Sequence, residues 1–319
     1  MAAGIATLML ASAFVTAQGP PASRTNAAGS WTPPRTADGQ PDISGVWSNA
    51  TYTPLERSAD LGDREFFTPE EAEALAKRNL DRLHNQAADS VHYDDAIWMS
   101  EKAPRGMTSL RTSIIVDPKN GRIPPMTEEG RKRQAERQTA RRGVGQFDSA
   151  QARSLSERCI IWQHEGPPIL PTGYNSNLQI LQGPGYVVIM HEMMRDPRIV
   201  PLDDRSQPAS ALRAYRGYSR GRWDGNTLVV TTTSFTDTTA FRGASEDQVV
   251  IERFTPVDPE TVLYRFTVED PKTWAVPWSG EVPLKRSPDK LYEYGCHEGN
   301  YGIANILNAA RVAEANGSN

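Results

Sequence analysis

The sequence predicts a mostly β protein: an antiparallel meander forming a barrel-like or sandwich body, with N-terminal helices and a short C-terminal helix. Three observations predict it. From about residue 109, β-branched and aromatic runs alternate with clusters of Gly, Pro, Asn and Asp. Those runs pair into five candidate hairpins. Most of the hairpins follow one another with no helical periodicity between them.

Taken in order, "PDISGVW" (Pro41 to Trp47) opens the folded part as a short apolar strand. "TPEEAEALAKRNLDRL" is a helix, with Thr68 as N-cap, Pro69 at the first helical position and Glu71 completing a capping box. "TSIIVDPKNGRIPP" is a β-branched run ending in a Pro-Lys-Asn-Gly turn. "TEEGRKRQAERQTARR" starts a second helix at Thr127, with acids in its first turn and arginines in its last, as the helix dipole favours. Its basic run (Arg131, Lys132, Arg133, Arg137, Arg141, Arg142) reads as a solvated face, because no aromatics interleave with it. "NLQILQGPGYVVIMHEM" turns at Gly183-Pro184-Gly185, and "GRWDGNTLVVTTTSF" at Asp224-Gly225-Asn226. "VVIERFTPVDPETVLYRFTVED" and "GEVPLKRSPDKLYEYGC" each turn at an Asp/Pro cluster. The chain closes with "NILNAARVAEA", a short helix carrying Ile303, Ile306, Leu307 and Ala310 on one side.

Composition narrows the function. A chain of 319 residues buries a sizeable core, and its net charge of -4 gives no general attraction to nucleic acid or an anionic membrane. "IATLMLASAFV" (Ile5 to Val15) is too short to span a bilayer, and Val15 and Ala17 fit a secretory cleavage pattern. Residues 1–17 are therefore expected to be a signal peptide, 18–40 a disordered linker, and 41–319 one β-rich domain with helical insertions. No later segment is apolar enough to anchor the chain, so a periplasmic or secreted protein is expected. In an oxidising compartment Cys159 and Cys296 are most simply a disulfide, with two separate buried thiols as the alternative.

"YVVIMHEMMRD" comes within one residue of a zinc-protease signature, with Arg195 where H-E-x-x-H needs its second histidine. That signature works only on a helix, and Tyr186 to Met190 after a Gly-Pro-Gly turn reads as a strand. In a strand His191 and Glu192 point to opposite faces, and so do His297 and Glu298 in "LYEYGCHEG". If both apolar sets face the core, one member of each pair points inward at the barrel rim. His191, Glu192, His297 and Glu298 are thus the candidate catalytic residues, a general acid/base pair with pKa values drawn toward neutrality by partial burial. No cofactor is expected, and a metal held through His191 and His297 is the lesser alternative.

Tyr174 and Asn177, in "YNSN", offer hydroxyl and amide groups to a polar substrate. Arg242, in "FRGASED", could hold a carboxylate or pair with Glu246. Trp274 and Trp278, in "TWAVPWSG", fit an aromatic platform or a core plug. There is no G-x-S-x-G elbow, P-loop or dinucleotide fingerprint. The expectation is an enzyme of the lyase, isomerase or hydrolase type on a small organic molecule. The alternative is a carrier holding a small apolar ligand in the barrel.

"PDISGVW", "RTSIIVDPKNGRIPPMT", "SLSERCI", "YVVIMHEMMRDPRIVPLD", "GRWDGNTLVVTTTSFTD", "TVEDPKTW" and "YEYGCHEGNYGI" together resemble a large family of exported bacterial proteins, numerous in soil bacteria. The resemblance covers nearly all of the chain after residue 17. It implies export and a single domain, and it implies no mechanism. Relatives often carry histidine where this chain has Arg195, a departure that weakens a metal role for that segment.

Overall fold

The computed structural model describes residues 31–84, 108–172, 175–194, 196–203, 212–239 and 241–317. Pro33 to Asn319 form one compact unit, the subject of all that follows. The expected signal peptide lies outside the described residues. The end of the expected linker is packed, not free: Asp42 N–H donates to the Pro34 carbonyl at 2.8 Å, and Arg35 Nη2 reaches Asn226 Oδ1 at 3.0 Å.

Ten strands form one antiparallel sheet that nearly closes into a barrel. They are β1 (Gly45–Ser48), β2 (Ile115–Asp117), β3 (Asn177–Gly183), β4 (Tyr186–His191), β5 (Arg198–Pro201), β6 (Tyr218–Asp224), β7 (Thr227–Thr233), β8 (Val249–Asp258), β9 (Thr261–Glu269) and β10 (Trp278–Arg286). Their order is β5-β4-β3-β1-β10-β9-β8-β7-β6, with β2 paired to β10 beside it. Three of the expected hairpins form: β3–β4, β6–β7 and β8–β9.

The other two do not, for reasons of sheet geometry. β2 pairs with β10 and not with the chain beyond its own turn, where Pro124 and Pro125 offer no N–H to a ladder. The stretch 291–298 is irregular and not a strand. Both edges of β10 are already taken, by β9 on one side and by β1 and β2 on the other, so it has no edge left for a hairpin partner.

Among the described residues three α-helices decorate the sheet: α1 (Pro69–His84), α2 (Glu128–Arg142) and α3 (Gly302–Ala315). The capping box is formed, with Thr68 N–H donating to Glu71 Oε2 at 2.9 Å and Glu71 N–H to Thr68 Oγ1 at 3.2 Å. Thr127 caps α2 by accepting from Gly130 N–H at 3.0 Å, while its own hydroxyl donates to the Lys272 carbonyl. A Cβ on Gly130 would fall 2.9 Å from the Thr273 carbonyl, so this turn of α2 lies hard against the β9–β10 connection. On α3, Ile303, Ile306, Leu307 and Ala310 are half-buried along one face, as their spacing predicts. Cys159 and Cys296 lie at disulfide distance, with Cα atoms 5.8 Å apart, and tether the segment that leads into α3.

The barrel interior is filled by side chains. Trp47, Phe254, Tyr264, Phe266 and Trp278 are fully buried, and neighbouring rings lie 5.0–5.8 Å apart from centroid to centroid. β5 and β6, the two ends of the strand order, run side by side. Gly221 permits that approach, since a Cβ there would come within 2.8 Å of Val200 and Leu202 side-chain carbons. Gly221→Ala is expected to lower stability by about 1–3 kcal/mol through overpacking. Urea denaturation reads the change, and a variant as stable as the parent would mean that β5 and β6 do not press together.

Candidate acid/base site at one end of the barrel

Connection lengths divide the barrel into two unlike ends. At one end lie the two-residue turns 184–185, 225–226 and 259–260. At the other lie the long connections before β3 and β6 and those joining β4–β5, β7–β8 and β9–β10, with α2 packed beside them. Long loops held on a rigid sheet are where binding groups gather. Here they surround a cluster of buried charge.

Strand alternation builds half of the cluster. Glu252 follows Val250 and precedes Phe254 on the inward face of β8, so a carboxylate sits where an apolar side chain is the norm. Its partners come from two other strands. Arg198 of β5 lies across it, with Nη2 donating to Oε1 at 3.1 Å and Nη1 2.8 Å from Oε2, the latter too bent for a full hydrogen bond. Tyr264 of β9 donates its hydroxyl to Glu252 Oε1 at 2.9 Å. The same hydroxyl accepts the Ile169 N–H at 2.8 Å. Burial, followed by the Glu252 charge, holds the Tyr264 phenol well above its ordinary pKa, so it remains a donor.

The loops supply the other half. Residues 165–170 are buried in a row as the chain dips into the barrel end. Glu165, 5 % exposed, meets Arg216 at 2.6 Å (Nη2 to Oε2), while its Oε1 has no hydrogen-bond partner among the described residues. Burial pushes the Glu165 carboxyl up to about 7, against the opposing pull of Arg216. His191 ends β4 pointing inward in line with Val187 and Ile189. Burial first, then the Arg216 and Arg198 charges, keep its pKa well below the ordinary value, so the imidazole is neutral. Its Nε2 is buried and unpartnered among the described residues. A hollow of about 400 Å³ opens onto Arg198, Arg216 and Ser219, with Asp196 on its wall.

The structure separates His191 from His297 and Glu298. His191 faces the barrel interior. Glu192, also buried, accepts from Asn177 Nδ2 at 2.9 Å, which occupies that amide and explains the place of Asn177. His297 and Glu298 are exposed, beside a hollow that also contains Met190. Met190 lies on the opposite face of β4 from His191, so His191 does not open onto the hollow beside His297 and Glu298. The same separation removes the geometry for a metal bridging His191 and His297. Among the described residues no group of three or more His, Cys, Asp or Glu is arranged to hold a metal.

Trp274 and Trp278 are core residues. They are 2 % and 0 % exposed and meet edge to face at 5.7 Å, so the packed core and not an open platform takes both rings. Glu246 pairs with Arg213, leaving Arg242 to line a cleft beside α2. Tyr174 lies outside the described residues.

Glu165, Arg198, Arg216, Glu252 and Tyr264 were not anticipated. Two carried a readable signal: Arg198 shares the inward parity of Val200, and Glu252 that of Val250 and Phe254. Glu165 and Arg216 sit in irregular chain, where no periodicity marks the side that faces in.

Comparison with protein-family models, curated proteins and solved structures returned no match. No helix among the described residues is long and apolar enough to cross a membrane.

Proposed function

We propose that this chain is an exported acid/base enzyme, a lyase or isomerase that moves a proton on a small organic substrate in the hollow beside Arg198 and Arg216. One observation carries the reading: the buried Glu165 carboxyl, pushed up to about 7 by burial, is held by Arg216, whose guanidinium lines an open hollow. A base matched to ambient pH gives the most efficient proton transfer. Glu165 carboxylate takes a proton from a carbon next to a carbonyl, and the C–H electron pair moves onto the carbonyl oxygen. Arg216 and Arg198, both of which line the hollow, stabilise the negative charge there. Returning the proton from Glu165 to a different atom completes an isomerisation, and departure of a β-substituent completes an elimination.

Export is supported by the apolar N-terminal run, by the Cys159–Cys296 pair and by the resemblance of the quoted motifs to those of exported bacterial proteins. The carrier reading has less support, because aromatic side chains occupy the interior that an apolar ligand would need.

The test is hydrogen–deuterium exchange into a panel of small keto and hydroxy acids in D2O, followed by proton NMR. Parent protein is expected to exchange an α-hydrogen of at least one compound, and Glu165→Gln is expected not to. Exchange equally fast in the variant, or none in the parent across the panel, would overturn the assignment.

A further inference from the structure

A second and larger cleft, about 610 Å³, lies at the same end of the barrel and shares Ile161 and Tyr215 with the first hollow. Its walls combine two chemistries. Arg137 and Arg141 come from the last turns of α2 and Arg242 from the loop after β7, facing a single lining carboxylate, Asp237. Phe241, half-buried, supplies apolar surface, with Ile161, Leu170 and Phe235 almost wholly buried behind it. We infer that this cleft binds an organic acid: an anionic group against the three guanidiniums, with an apolar body against Phe241.

Three features favour a ligand over a merely solvated basic face. None of the three guanidiniums has an ion-pair partner among the described residues; Arg137 donates only to the Ala244 carbonyl, at 3.2 Å. Arg137 and Arg141 are four apart on one helix, a like-charge spacing whose repulsion opposes the gain from the helix dipole and which a bound anion would relieve. Arg242 holds a left-handed backbone, φ 54° and ψ 31°, a strained geometry for a non-glycine residue. All this occurs in a chain of net charge -4, so the local excess of cations is not inherited from composition. The neighbouring arginines of α2 are employed differently, as Arg133 pairs with Glu129 and bonds Thr273. The volume is that of a small-molecule site.

The inference goes beyond the proposed function, since this cleft adjoins but is not the hollow beside Arg198 and Arg216, and its test separates the two. Benzoate, benzyl alcohol and inorganic phosphate are titrated into the parent protein by calorimetry at low salt. Benzoate is expected to bind, with benzyl alcohol and phosphate each weaker by about tenfold or more, as loss of a charge-assisted contact or of the buried body requires. Arg141→Ala and Arg242→Ala, both on exposed side chains and checked for an unchanged melting temperature, are expected to weaken benzoate by about fivefold to tenfold each. Failure of benzoate to bind, phosphate binding as tightly as benzoate, or arginine variants that leave its affinity unchanged would overturn the inference. Glu165→Gln is expected to keep benzoate affinity. Loss of carbon–deuterium exchange with binding intact therefore concerns the reaction centre alone, and loss of the arginine effect with exchange intact concerns the cleft alone.

Discussion

Replacing Arg198 by methionine is expected to destabilise the protein by about 3–5 kcal/mol, the range for stranding one partner of a buried ion pair. Glu252 is wholly inaccessible to solvent, and Arg198 and Tyr264 are its partners inside the barrel. Arg198→Met keeps most of the aliphatic volume and removes the charge, so the carboxylate must stay ionised without compensation or take up a proton. Either outcome is costly, and the second weakens its bond from Tyr264. The double variant Arg198→Met, Glu252→Leu removes both charges together and is expected to recover most of the loss, because a well-packed apolar pair often matches a buried ion pair. Tyr264→Phe should cost about 1–3 kcal/mol, since it leaves the buried Ile169 N–H without its acceptor. Urea denaturation of the four proteins measures all of this. If Arg198→Met loses less than about 1 kcal/mol, or the double variant is no better than the single, the charges are not coupled as described.

Much of the architecture was legible because β-structure writes itself into sequence with a period of two. The Gly-Pro-Gly, Asp-Gly-Asn and Asp-Pro-Glu turns correspond to the three hairpins that form, and of the His191–Glu192 pair, left open by alternation, the structure turns His191 inward with Val187 and Ile189. The failed hairpins depend on which edges of β10 are free, and that is decided by β1, more than two hundred residues away in the chain. No local pattern carries such information.

The site was less legible for a related reason. Histidine is scarce in this chain and draws attention, which gave His297 a weight that its exposed, irregular segment does not support. Arg198 and Glu252 were hidden in plain alternation, charged residues at inward positions of otherwise apolar strands. Reading a strand for the charge that violates its pattern, and not only for its apolar residues, would have found both. Glu165 and Arg216 meet only because two long connections fold over the same barrel end. Their pairing is a product of tertiary structure alone.

Glu165→Gln is expected to stabilise the protein at neutral pH, by about 3 kcal/mol above pH 7, while abolishing proton transfer. The sign follows from linkage. Glu165 titrates at about 7 in the folded protein and at an ordinary 4.5 when unfolded. Below pH 4.5 both states hold the proton, and the residue contributes no pH dependence. As pH rises from there, the unfolded chain ionises first, so folding stability falls by about 1.4 kcal/mol per pH unit until the folded carboxyl also ionises near pH 7. Glutamine is the isostere of the protonated acid, so variant and parent should be nearly equal below pH 4.5 and diverge above it.

The difference between the two proteins is the quantity to follow, because other groups act in the same window. His191 works in the opposite direction: burial depresses its pKa, so the unfolded chain takes up a proton below pH 6.5 and stability rises with pH there. That contribution is common to both proteins and cancels. Urea denaturation at pH 4, 5, 6, 7 and 8 is sufficient. A Glu165→Gln protein less stable than its parent at pH 8 would mean that the carboxylate and Arg216 form an ordinary stabilising ion pair, and the proposed base would have no reason to titrate where catalysis needs it. A parent that is the less stable of the two at pH 8, and the only one to exchange deuterium, would instead tie the cost of burying Glu165 to the chemistry it performs.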